Sequence, residues 1–189
     1  MNREVVLLTR TEQEKLRRAF RPAQVELLFI GEAPPASGRF FYCRNSGLYR
    51  AMRDAFYSID PAIDDDNFLE VFQASGCYLT DLCSKPVDRL DTKSREAARR
   101  AGERSLSRKI AQLQPATIAP VLRSINAHVS RAASRAEWAG QMIHLPYPGR
   151  WHQHRSAFIE TVAPVVRYRL ERVTEVVGHA RYLSARLTR

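Results

Sequence analysis

Hydrophobic and polar positions along the chain alternate between two periods. Val25-Glu26-Leu27-Leu28-Phe29-Ile30 is a near-continuous apolar run that stops at Gly31. Runs of that kind fit strands buried on both faces of a parallel sheet. Residues 77–83 form a second such run, closed by Ser84-Lys85-Pro86, and residues 117–122 and 141–145 give a third and a fourth. Between the runs the period is helical. Residues 46–57 place Leu48, Met52, Ala55 and Phe56 on one side, and residues 67–74 form a short helix after an acidic turn around Pro61. Residues 94–113 carry a core stripe of Leu106, Ile110 and Leu113, with Arg99, Arg100, Arg104 and Arg108 on the polar side. Residues 124–138 read as a helix, and another runs from about His152 past Arg169 to about Val177, followed by an Arg-rich tail. An N-terminal helix over 11–20 opens on Thr11 with Glu14 three residues on, a capping box.

Strands separated by helices imply βαβ units. The predicted fold is α/β: a three-layer α/β/α sandwich with a four-stranded, mainly parallel sheet. One domain is expected over 1–189, with its core at about 25–166. In such sheets a ligand sits at the carboxyl ends of the strands. That rule selects three loops, 31–45, 81–89 and 146–155.

Composition changes the picture in one respect. The chain has 30 Lys+Arg against 20 Asp+Glu, a formal charge of +10, and Lys appears only at 15, 85, 93 and 109. Arginine's planar fork grips phosphate bidentately, which suits nucleic acid. A solvated basic surface written by an Arg-rich genome is the other reading, and composition leaves both open. Hydrophobic content of 44% with 26% charged residues excludes wholesale disorder. No apolar stretch is long enough to span a membrane, and the apolar run Val5 to Leu8 is too short for a signal peptide, so a cytosolic protein is expected. Cys43, Cys77 and Cys83 form no CxxC pair, so neither a disulfide framework nor a four-ligand metal site is expected. Cys43 reads as a small apolar filler.

The three loops hold the candidate chemistry. Glu32 follows the first strand directly, where a carboxylate can orient a water or stabilise a developing cation. Phe40, Phe41 and Tyr42 come next and can stack a base. A capping role for Glu32 and a core role for the aromatics are equally open. Asp81 ends the second strand, with Lys85, Asp88 and Arg89 behind it. It can read a base edge, cap a helix or pair with Lys85 or Arg89. The third loop has Tyr147, Arg150, Trp151, His152, His154 and Arg155. The i, i+2 spacing of its histidines does not suit a metal, whereas a basic, aromatic helix start can hold phosphate and wedge a duplex.

At these loops the chain resembles the uracil-DNA glycosylase superfamily, in particular a bacterial and archaeal branch that carries an iron–sulfur cluster. The branch's Gly-Glu-Ala-Pro-Gly segment is matched by Gly31-Glu32-Ala33-Pro34, and its Gly-x-Pro-Phe by Gly38-Arg39-Phe40-Phe41. Its Tyr-Ile-Thr-Asn strand resembles Tyr78-Leu79-Thr80-Asp81, and its final His-Pro motif is matched loosely by Tyr147-Pro148-Gly149. The likeness runs from about Val25 to Val166. It implies that Glu32 positions the attacking water, Phe41 stacks on the flipped base, Asp81 reads its edge and Tyr147 stabilises the departing base. Arg150 and Trp151 fall where the family's wedge loop lies, and Lys85, Arg89, His152 and Arg155 complete the candidate DNA contacts.

Three departures matter. Asp81 replaces an Asn, and a carboxylate accepts hydrogen bonds, so it favours a donor-rich base edge unless burial raises its pKa. Tyr147 replaces a His and offers a hydroxyl without positive charge. The cluster cysteines are absent, with Arg99 near one of their positions. The implied function is hydrolysis of the N-glycosidic bond of a damaged or deaminated base in DNA, with no cofactor, metal or cluster, by a monomer acting on single- or double-stranded DNA. The alternative is a non-catalytic nucleic-acid or nucleotide-binding protein on the same fold.

Overall fold

Four strands form one parallel sheet in the order β2-β1-β3-β4: β1 (Leu27–Gly31), β2 (Cys77–Asp81), β3 (Thr117–Pro120) and β4 (Gln141–Met142). The structure, a computed structural model, describes residues 8–149 and 152–187, with side chains described as far as Glu171. Six helices complete it: α1 (Arg10–Ala19), α2 (Gly47–Tyr57), α3 (Phe68–Ala74), α4 (Thr92–Leu113), α5 (Asn126–Arg135) and α6 (His152–Leu187). The chain steps from β1 to β2 in one direction and returns across β1 to reach β3. Right-handed crossovers then place the connecting helices on opposite faces. Accordingly α2 packs on α6 and α4 packs on α5. The result is the expected three-layer sandwich, with its strand order reversing beside β1, where α/β sheets form their crevice.

The strands form where the apolar runs predict them. Every residue of β1 and β3 is buried. On one face Phe29 stacks on Phe72 of α3, within a cluster that includes Phe41, Tyr49, Phe56 and Phe68. On the other face Leu106 and Ile110 of α4 are fully covered. β2 is an edge strand, and the loop after β1 closes part of that edge. The buried Tyr42 hydroxyl donates to the Leu79 carbonyl at 3.0 Å and accepts from the Leu79 N–H at 2.9 Å. One side chain thereby satisfies two backbone groups that a sheet edge leaves open.

Several element ends differ from the sequence expectation. The capping box of α1 is built by Thr9 and Glu12, not Thr11 and Glu14. The two Thr-x-x-Glu registers overlap by two residues, and the earlier one leaves Glu14 free to pair with Arg17 at 2.6 Å. α4 starts at Thr92 because Asp91 accepts the Ser94 N–H. The predicted helix over 124–138 opens as a 3₁₀ turn at 123–125 and stops at Arg135, since Glu137 takes a left-handed conformation (φ 52°). β4 has two residues, although Ile143 and Leu145 still donate to β3 carbonyls. α6 runs to Leu187, ten residues past its expected end near Val177.

Gly102 shows how closely α4 approaches the end of β2. A Cβ there would lie 2.3 Å from the Leu82 carbonyl oxygen. Gly→Ala inside a helix ordinarily stabilises by about 1 kcal/mol. Here the clash is with backbone, so the overpacking cost of about 1–3 kcal/mol decides the sign. Gly102→Ala is therefore expected to lower the stability measured by urea denaturation, with Ala101→Gly, on the exposed side of the same helix, as the propensity control.

Candidate active site

The carboxyl ends of β1, β2 and β3 open into a cleft of about 900 Å³. Its lining draws on all three loops that the sheet topology selects. Glu32 and Asp81 lie on its floor, Phe40 and Phe41 form a wall, and Tyr147 with Arg155 stands on the opposite side. The loops are tied together, since Asp88 accepts the Ala36 N–H at 3.0 Å.

Glu32 is 8% exposed. Its backbone carbonyl accepts the Cys83 N–H, which anchors it to the end of β2. Its carboxylate is held by two arginines of α4. Arg95 donates through Nε to Oε1 at 2.7 Å and through Nη2 to Oε2, a bidentate pair. Arg99 Nε adds a 2.7 Å bond to Oε1. Residues 95 and 99 are four apart, so both guanidinium groups come from one helix face. Burial acts to raise the Glu32 pKa, but the hydrogen bonds from Arg95 and Arg99 outweigh it and hold the carboxyl below its ordinary value. One carboxylate between two arginines leaves the pocket floor with an excess positive charge.

Asp81 sits opposite Gly31 in the β1–β2 register. Arg17 of α1, 6% exposed, donates from Nη2 to Asp81 Oδ2 at 2.6 Å, and its guanidinium lies over the Phe40 ring at 5.3 Å. Asp81 therefore pairs with a residue of the first helix and not with Lys85 or Arg89. Burial pushes the Asp81 pKa up against the pull of Arg17 and Lys109. Burial opposes charge on Arg17 too, but Asp81 and Glu14 outweigh it and hold its pKa above the usual value.

The other expected site residues divide into three groups. Phe41 lines the cleft but is nearly buried, packed edge-on to Tyr49 and Phe68, so only part of its ring faces the opening. Tyr147 is 54% exposed at the rim. Arg155 lines the cleft and pairs with Asp54 of α2. Lys85, Arg89 and His152 are exposed and do not line it. Arg150 and Trp151 lie outside the described residues.

Sequence reasoning missed Arg17, Arg95 and Arg99, the three cations that hold the two carboxylates. The i, i+4 spacing of Arg95 and Arg99 was the available signal. Arg39 and Arg50 also line the cleft. Cys43 is half-buried, and burial raises its thiol pKa, away from the reactive thiolate.

The sequence model of the uracil DNA glycosylase superfamily matches residues 18–186. The chain belongs to that superfamily. No curated protein matches the chain. Within the superfamily frame, Glu32 falls at the end of β1 and Asp81 at the end of β2. The iron–sulfur cluster of one branch does not fit this chain. Cys77 begins β2, Cys83 lies past its other end, and Cys43 is in the 3₁₀ turn at 41–43. Among the described residues no three His, Cys, Asp or Glu side chains come together to hold a metal ion. No helix among them is long and apolar enough to cross a membrane.

The Glu32 pair has a measurable acid signature. A carboxyl held below its ordinary value of 4.5 binds fewer protons folded than unfolded. Its stabilising contribution is present above pH 4.5 and is lost as pH falls through the lowered folded value. Urea denaturation across that window is expected to show a shallower pH slope for Glu32→Gln than for the wild type.

Proposed function

We propose that the protein is a DNA glycosylase that flips a damaged base into the cleft and hydrolyses its N-glycosidic bond. The carrying observation is the fixed position of Glu32 on the cleft floor at the end of β1, in a chain of this superfamily. Flipping costs a few kcal/mol, offset by stacking and pocket contacts. Phe40 and Phe41 supply the apolar wall, and Tyr147 the hydroxyl at the rim. The C1′–N bond breaks and its electron pair leaves with the base. Water oxygen then bonds to C1′ and gives up a proton, which reaches the base or solvent. Glu32 orients that water and offsets the positive charge on the sugar. Its lowered pKa makes it a poor final proton acceptor but keeps it ionised, which suits an electrostatic and positioning role. Arg39, Arg50 and Arg95 at the cleft, with Lys85, Arg89 and His152 outside it, are suited to DNA phosphates.

A second reading, a nucleic-acid-binding protein without catalysis, is favoured by one observation. Both oxygens of Glu32 already accept from arginines, so a water must compete for them. One experiment separates the readings. Labelled oligonucleotides holding single uracil, hypoxanthine, xanthine or alkylated bases are incubated with the protein and treated with alkali to reveal abasic sites. Glycosylase activity predicts new abasic sites, and Glu32→Ala is expected to reduce them at least about 100-fold with DNA affinity retained. In either reading log K falls with log salt, with a slope of about −0.9 per duplex phosphate neutralised. Salt-sensitive binding without cleavage of any substrate would select the second reading.

A further inference from the structure

The residue that holds Asp81 comes from outside the family pattern. Arg17 lies one position before the matched segment 18–186 and reaches Asp81 from α1 across 64 positions of sequence. Its other terminal nitrogen, Nη1, is taken by Glu14 at 2.6 Å. The contact with Asp81 uses Oδ2 alone. Oδ1 receives no hydrogen bond from any described residue. It is also not sealed. The sealed side-chain atoms without a partner among the described residues are Arg17 Nε, Asn126 Oδ1 and Arg169 Nε. Asp81 lines the cleft with its side chain 10% exposed. Gly31 makes room for this arrangement, since a Cβ there would stand 2.5 Å from Oδ1.

We propose that Arg17 and Asp81 form a base-selecting pair, which favours a nucleobase that keeps its exocyclic amino group over its deaminated, carbonyl-bearing counterpart. This rests on the reading that a flipped base enters the cleft, and it narrows that reading. An amide at position 81 can present either a donor or an acceptor. A carboxylate can only accept, and a permanently charged guanidinium on Oδ2 favours that form. The one open oxygen attracts an amino N–H and repels a carbonyl oxygen. Arg17 also prevents the side chain from turning, because rotation would break a buried charged hydrogen bond. Lys109, the other nearby cation, donates to Thr80 Oγ1 at 2.8 Å. Arg17 acts on the base through Asp81 and is a positioning residue.

The test compares two matched pairs, cytosine against uracil and adenine against hypoxanthine. Each is placed in an oligonucleotide opposite an abasic analogue. Binding is read by fluorescence anisotropy and excision by alkali cleavage. The amino member of each pair is expected to be favoured at least about tenfold, the usual worth of one good base-edge contact. Asp81→Asn is expected to abolish or reverse that ratio, and adding Arg17→Met to Asp81→Asn to change it no further. Thermal denaturation checks folding. If Asp81→Asn alone does not fold, the double variant, which removes both buried charges, replaces it. A wild type that prefers uracil and hypoxanthine, or that shows no preference or no binding, overturns the proposal. So does an unchanged ratio in a folded variant lacking Asp81. Preference in binding without any excision would instead remove the glycosylase reading and leave base selection standing.

Discussion

Two carboxylates end the neighbouring strands β1 and β2, and neither can be buried there without a cation. Gly31 and Asp81 are register partners, and Glu32 is the next residue on its strand. Withdrawing an ionised carboxyl from water costs several kcal/mol unless charge and hydrogen bonds replace the lost solvent. Both carboxylates find arginine, from different helices: Arg17 of α1 at Asp81, and Arg95 with Arg99 of α4 at Glu32. The placement of α1 and α4 follows from this requirement as much as from their apolar faces. Gly102 then lets α4 lie close enough on Leu82 for its first turns to reach the strand ends.

The cleft wall depends on a second constraint, the open edge of β2. Tyr42 is drawn inward because its hydroxyl satisfies both backbone groups of Leu79. That fixes the loop 31–45 against the sheet. Its neighbours Phe40 and Phe41 are carried to the cleft, where each spends part of its ring on the core and part on the opening. The same short aromatic segment therefore seals an edge, fills a core and lines a pocket. A base entering here would meet a wall that is already packed and needs little ordering.

The sheet and its ligand-facing end were legible in sequence, because strands buried on both faces leave unbroken apolar runs and the C-terminal-end rule needs only their order. Glu32 and Asp81 followed from their positions directly at strand ends. Their partners did not. Arg95 and Arg99 stand among other arginines of α4, and in a one-dimensional pattern a cation facing a buried carboxylate looks the same as one facing water. Arg17 was hidden for a different reason. Its contact depends on how α1 docks, and docking is a tertiary event with no local signature. The cap of α1 was misplaced by two residues because two capping-box registers overlap there, and only the pairing of Glu14 with Arg17 distinguishes them.

The ion pairs on α4 also bear on how this chain dispenses with a cluster. Arg99, near the place where one branch of the superfamily has a cluster cysteine, bonds Glu32 on one side and lies 3.7 Å from Glu96 on the other. Glu96 meets the buried His128 of α5 at 3.1 Å, and His128 meets Glu103 at 2.7 Å, where Arg131 also binds. A continuous set of charged contacts thus runs from the cleft floor through α4 into α5. A network of this kind can fix geometry without a large gain in stability, because each buried charge gives back most of its Coulomb energy as desolvation. Its value lies in holding Glu32 in one orientation. The same contacts leave the floor positively charged, which suits a phosphate better than an oxocarbenium ion. Hydrolysis at this site therefore depends on whether the half-exposed Arg95 turns toward an arriving phosphate and leaves Glu32 to Arg99 alone. One arginine per carboxylate would restore local neutrality, and with it the field that a departing base and a cationic sugar require.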